Sequence, residues 1–214
     1  MITKSPPWDQ QAARILAKLL VNTSITPNQV TLFTLILALI GAGLIATGEN
    51  TSINWGVGLF VLARFLDHID GELARQKGAL SKFGYYLDYT TGALSYGALF
   101  LCIGIGLRHD TFGDWALALG MAGALSAILT MFINLNIDKI QDGSELKNTV
   151  GYPSFAGFEL EDGIYLIAPI TWAGYITPFF IAAGIGATIY LLWGFWRFRR
   201  LRRALAANEH DNKN

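Results

Sequence analysis

Residues 67–75 read Asp67-His68-Ile69-Asp70-Gly71-Glu72-Leu73-Ala74-Arg75, and eight residues later the chain continues Gly84-Tyr85-Tyr86-Leu87-Asp88. This stretch decides the reading of the fold. It sets three carboxylates, an arginine and several glycines inside segments that are otherwise apolar enough to span a membrane. Ionisable groups at such depth are costly and mark functional sites. On a helix, Asp67, Asp70, Gly71 and Ala74 fall within an arc of about 100°. Gly84 and Asp88 share a face of the next helix with Gly92 and Ser95. Two antiparallel helices joined by a short turn bring both sets to one depth.

The composition agrees with a membrane bundle. Of 214 residues, 52% are hydrophobic and only 15% are charged, against about 25% charged in an ordinary soluble domain. Mean hydropathy is +0.38. The length allows a single bundle over residues 1–207, and the polar stretch 208–214 reads as a disordered tail. A net charge of zero gives no ground for a nucleic-acid partner, and none is expected. The lone Cys102 excludes an internal disulfide and a multi-cysteine zinc site. Residues 1–26 lack the apolar core of a cleavable signal peptide.

The spacing of Ala12, Ile15, Leu16, Leu19 and Leu20 predicts an amphipathic helix over 9–21 lying on the membrane surface. Six spans follow, near 28–48, 53–76, 83–107, 114–137, 156–172 and 175–197, so the expected class is an all-α polytopic bundle. Thr26 and Pro27 suit the start of the first span. Pro169 interrupts the fifth. Lysine and arginine concentrate on one side, whereas the opposite loops hold only Arg108. This bias places both termini and the acidic run at the cytoplasmic face, as in a bacterial inner membrane. The run Arg197 to Arg203 reads as a stop and an anchor for anionic lipid. Gly41, Gly43, Gly104, Gly106, Gly120, Gly123, Gly184 and Gly186 suit close helix packing, and such faces make a homodimer an option.

Three clustered carboxylates repel one another and call for a cation. With oxygen donors and no His or Cys set beside them, Mg2+, Mn2+ or Ca2+ is favoured over zinc. Gly71 and Gly84 let a ligand approach the backbone, and Arg75 can grip a phosphate. The residues point to a metal-bound diphosphate. His68 reads as an interhelical hydrogen-bonder, Glu72 as a residue of the inner interface, and Arg64 as a buried cation paired with an acid of the fifth span. Asp138, Lys139, Asp142, Glu145 and Lys147 read as a mostly solvated inner loop.

The run resembles the signature of the CDP-alcohol phosphatidyltransferase family, D-x-x-D-G-x-x-A-R-x8-G-x-x-x-D-x-x-x-D, and Thr26-Pro27-Asn28 with Val30-Thr31 is similar to the family's first-span opening. The resemblance implies transfer of a phospho-alcohol group from a CDP-linked lipid donor to an acceptor alcohol, with release of CMP, in phospholipid synthesis. It implies Mg2+ or Mn2+ held by Asp67, Asp70 and Asp88, with Gly71, Ala74, Arg75, Ser81 and Gly84 around the cytidine diphosphate. The family's last aspartate, taken as the general base beside the metal, falls at Gly92. Loss of a general base typically costs 10²–10⁴-fold. Asp88 is expected to remain catalytic. Glu159 and Asp162, at the start of the fifth span, are candidates for the missing carboxylate, unless they only cap a helix. The alternatives are a CDP-lipid-binding relative with impaired chemistry and, from another class, a small secondary transporter.

Overall fold

The computed structural model describes residues 8–109, 113–142, 154–155 and 158–211. Seven α-helices carry nearly all of it: α1 Trp8–Leu20, α2 Pro27–Ala46, α3 Asn50–Lys77, α4 Lys82–Gly106, α5 Asp114–Asp142, α6 Ile167–Trp172 and α7 Ile176–Asp211. Four of them contain stretches long and apolar enough to cross a membrane, at Pro27–Ala46, Lys82–Gly106, Asp114–Ile140 and Ile176–Leu205. The protein is an integral membrane protein. α3 has the length for a crossing at 28 residues, but its second half carries the charged run.

The fifth expected span differs from a continuous helix over 156–172. Strands β1 (Ser154–Phe155) and β2 (Phe158–Glu159) pair antiparallel. A 3-10 segment, Leu160–Leu166, then leads into the six-residue α6. Pro169 suits the first turn of a helix and not its interior, so the α-helix is confined around it. α6 still docks on α3, burying Ile167, Ala168 and Thr171, and Trp172 Nε1 donates to the Asn54 carbonyl at 3.1 Å. α7 continues to Asp211, so helix extends into the stretch expected to be disordered from Asn208.

Local chemistry sets the helix ends at the acidic run. Thr26 caps α2 by accepting from Gln29 N at 3.3 Å, and the Gln29 side chain accepts from Thr26 N at 2.9 Å. α3 stops at Gly78, whose φ of 64° is left-handed and suits glycine. Ser81 opens α4, its hydroxyl accepting from Gly84 N at 3.0 Å. Four residues, 78–81, thus reverse the chain between α3 and α4 and fix their antiparallel register.

α2 packs between α3 and α4, α5 between α4 and α7, and α1 lies on α3. Close helix crossings among the described residues need glycine. A Cβ on Gly56 would lie 2.5 Å from the Gly41 carbonyl oxygen, and one on Gly104 would lie 2.6 Å from the Ala116 carbonyl oxygen. Backbones meet there with no space for a side chain. By contrast, Gly43, Gly184 and Gly186 face open space. The main core joins Ile45, Val57, Phe60, Leu99, Ile103 and Ile167. A smaller cluster buries Ala13 and Ala17 of α1 against Ile69 and Leu73 of α3, while Ile15 and Leu19 of α1 stay exposed. The outer faces of α2, α5 and α7 carry exposed Phe33, Ile36, Leu125, Phe132, Ile189 and Leu192. In water such a belt would be a liability, whereas lipid tails solvate it.

Candidate metal and diphosphate site

The carboxylates of Asp67, Asp70 and Asp88 converge as the helical spacing predicts. One oxygen from each lies within 4.8 Å of the others. Asp67 and Asp70 are buried in α3, and Asp88 of α4 is exposed to the cavity they share. That cavity measures about 1120 Å³ and receives side chains from α1 to α5. It lies where α2 and α4 begin and α3 and α5 end. Two helix N-termini therefore open at this end, where their free N–H groups and dipoles favour an anion.

Each buried carboxylate has a hydroxyl partner on α2. Thr31 Oγ1 donates to Asp70 Oδ2 in a short hydrogen bond, and Thr34 Oγ1 donates to Asp67 Oδ1 at 3.0 Å. Arg64 Nη1 pairs with Asp67 Oδ2 at 2.9 Å, and its guanidinium stacks 4.8 Å from the Tyr96 ring centre. These contacts orient the carboxylates and leave oxygen donors facing the cavity. Three hard oxygens of this kind, two of them on a buried wall, fit a divalent cation of the magnesium or manganese type.

The other residues of the run serve the walls. Arg75 lines the cavity, with its side chain 55% exposed, while its Nη2 pairs with Glu72 Oε1 at 3.0 Å. It is tethered at one end and free to meet a phosphate. Glu72 is buried and also lies 3.8 Å from Arg14 Nε. It therefore anchors an arginine of α1 and one of α3. Gly71, Ala74, Ser81 and Gly84 all line the cavity. A Cβ on Gly84 would come within 3.1 Å of Asn28 Oδ1, so the glycine allows the α2 and α4 starts to approach. His68 bridges helices as expected, with Nε2 3.0 Å from Asp9 Oδ2 of α1.

Arg64 pairs with Asp67 three residues on in its own helix, and the acidic side chains of the fifth span lie outside the described residues. One expectation changes. Asp138 is not solvated: α5 runs past the expected end at 137, and Asp138 is buried within it. The side chains of Glu159 and Asp162 lie outside the described residues. At the gap in the motif, a Cβ on Gly92 would meet the Met131 methyl at 3.3 Å.

Thr31, Thr34 and Asp138 are the site residues that the sequence left unassigned. Thr31 and Thr34 are three apart in an apolar helix, a pattern that puts two hydroxyls on one face. That signal was available, but it did not name its partners.

Comparison with known proteins agrees with this geometry. A family model described as CDP-alcohol phosphatidyltransferase matches residues 24–193. Archaetidylinositol phosphate synthase of Pyrococcus horikoshii is 28% identical over 200 residues, covering 82% of this chain and 93% of the relative. Phosphatidylinositol phosphate synthase of Corynebacterium glutamicum is 40% identical over 86 residues, covering 40% of this chain and 38% of the relative. The fold is shared with the Mycobacterium tuberculosis phosphatidylinositol phosphate synthase crystallised with CDP-DAG bound, at a TM-score of 0.66 and 17% identity over 88% of this chain and 94% of that one. A second crystal structure of that enzyme, in complex with manganese and citrate, gives a TM-score of 0.57 at 20% identity, over 89% of this chain and 87% of that one. With the signature aspartates gathered on one cavity and the match running through most of the bundle, this chain belongs to the CDP-alcohol phosphatidyltransferase family of membrane transferases.

Proposed function

We propose that this protein transfers a phosphatidyl-type group from a CDP-linked lipid donor to an acceptor alcohol, releasing CMP, with Mg2+ or Mn2+ held by Asp67, Asp70 and Asp88. The observation that carries the proposal is the meeting of those carboxylate oxygens within 4.8 Å on the wall of a cavity large enough for a nucleotide head group. A divalent cation there supplies neutralisation of the diphosphate charge. The chain's own residues do the rest. Thr31, Thr34 and Arg64 keep the aspartates oriented. Arg75 binds a phosphate oxygen of the donor, and Gly71, Ala74 and Gly84 leave its backbone path open, with Ser81 holding the start of α4. The acceptor hydroxyl attacks the phosphorus that carries the lipid, the bond from that phosphorus to the CMP oxygen breaks, and CMP leaves with the electron pair.

The same reading sets α3 across the membrane with the four apolar helices and the 160–172 segment as a short fifth crossing. Both termini and the cavity then face the cytoplasm, and α1 lies in the interface with Ile15 and Leu19 towards lipid. The relatives' names favour an inositol-type acceptor for this chain too. Gly92 favours a second reading, a relative that binds the CDP-lipid and metal with little turnover.

One assay separates the two. Purified protein with CDP-diacylglycerol, Mn2+ or Mg2+, and either inositol phosphate, glycerol phosphate or free inositol is followed for CMP. Metal-dependent release that stops with EDTA is the expected result. Metal-dependent CDP binding without CMP release under any acceptor establishes the second reading instead.

A further inference from the structure

Position 92 leaves the reaction without its usual proton acceptor. Of the two cavity carboxylates that the metal site does not use, Glu72 is paired with Arg14 and Arg75, while no ion pair among the described residues involves Asp138. Asp138 of α5 is only 9% exposed and lines the same cavity as Asp88 and Gly92. Its Oδ2 accepts a short hydrogen bond from the Tyr89 hydroxyl and a longer one from Tyr85, at 3.4 Å. Its Oδ1 is buried with no hydrogen-bond partner among the described residues. A buried carboxylate oxygen without a donor is costly, and such an orphan calls for a functional cause. Tyr85 and Tyr89 lie three residues before and one residue after Asp88 along α4, so their hydroxyls tie Asp138 to the stretch of α4 that carries the metal-site aspartate. On α5, Met131 and Asp138 are seven residues apart and share a face. The helix that fills the space beside Gly92 with a methyl therefore presents its carboxylate two turns further along.

We propose that Asp138 takes the place of the carboxylate missing at position 92: Oδ1 accepts the hydrogen bond of the acceptor alcohol and then its proton. The inference rests on the transferase reading above. As the acceptor oxygen forms its bond to the lipid-bearing phosphorus, the O–H proton passes to Asp138 Oδ1. The phosphorus–oxygen bond to CMP breaks with its electron pair on CMP, and the proton stays on the Asp138 carboxyl until water takes it up after CMP has left. Tyr85 and Tyr89 are positioning residues that fix the carboxylate through its other oxygen. A purely structural role, tying α4 to α5, uses Oδ2 alone, and an asparagine fills it equally well because its carbonyl accepts from the same phenols.

The test compares wild type, Asp138→Asn, and Gly92→Asp/Asp138→Asn in the CMP-release assay with the same acceptors, alongside Mn2+-dependent CDP binding by calorimetry. Asp138→Asn is expected to lose 10²–10⁴-fold in kcat, the usual range for a general base, while CDP affinity stays within about threefold. The double variant is expected to recover at least tenfold over Asp138→Asn, because a new aspartate at 92 displaces only the flexible end of Met131. Repacking damage would not be rescued in this way. Turnover by Asp138→Asn within threefold of wild type overturns the inference and leaves the transferase reading standing. So does a loss confined to Asp162→Asn or Glu159→Gln. A wild-type protein that binds CDP but releases no CMP with any acceptor removes both.

Discussion

At the scale of single residues, the buried carboxylates depend on hydroxyls from another helix. Thr31 and Thr34 of α2 donate to Asp70 and Asp67, so the proposed metal site is built across the α2–α3 contact and not by α3 alone. Groups that orient a ligand in this way typically contribute 10–100-fold to metal affinity. Thr31→Val keeps the shape and removes the donor. It is expected to weaken Mn2+ binding, followed by electron paramagnetic resonance, by 10–100-fold. An unchanged affinity would show that Asp70 needs no hydroxyl to hold its orientation. The acidic face was legible in the sequence because Asp67 and Asp70 share a helix arc. Their partners were not, because hydrogen bonds that reach 33 and 39 residues back along the chain leave no local periodicity.

At the scale of elements, glycine decides which helices touch. Gly56 of α3 meets Gly41 of α2 backbone to backbone, and this same contact carries the threonine–aspartate pairs further along. Gly56→Ala places a Cβ 2.5 Å from a carbonyl oxygen that cannot move aside. Overpacking of this kind costs about 1–3 kcal/mol, read as a lower midpoint of thermal unfolding in detergent. Gly43→Ala on the same helix meets nothing within 4 Å. There the better helix propensity of alanine, roughly 1 kcal/mol, leaves stability equal or higher. Equal effects of the two variants would sink the assignment of the α2–α3 contact. The sequence marked Gly41 and Gly43 alike as suited to packing and could not rank them, since composition does not say which face of an apolar helix meets a neighbour. The interruption that Pro169 signals in the span expected over 156–172 takes the form of a 3-10 turn leading into a short helix, a form that hydropathy does not distinguish from one continuous helix.

At the scale of the whole molecule, mutual repulsion within the acidic cluster opposes the packing of α2, α3 and α4 at one end of the bundle. A bound cation relieves it. A ligand that binds only the folded state stabilises by about 2.7 kcal/mol at a hundredfold excess over its Kd. Saturating Mn2+ is therefore expected to raise the thermal midpoint of the wild type, EDTA to reverse the gain, and Asp67→Asn/Asp70→Asn to abolish it. A gain of equal size in that double variant would place the stabilising ion elsewhere on the protein.

The sequence by itself determined the class of the protein, the helix turn at 78–81 and the three carboxylates that meet there. Each follows from local rules: hydropathy over about 20 residues, caps and a left-handed glycine, and the 100° step of a helix. The tertiary structure alone decided what surrounds them. It put Thr31 and Thr34 behind the aspartates, turned Glu72 inward onto arginines, and carried α5 far enough to bury Asp138 beside Tyr85 and Tyr89. Those placements depend on which faces of distant helices pack together, and packing in a bundle whose residues are apolar on every side is set by close steric fit, which no periodic pattern along the chain encodes.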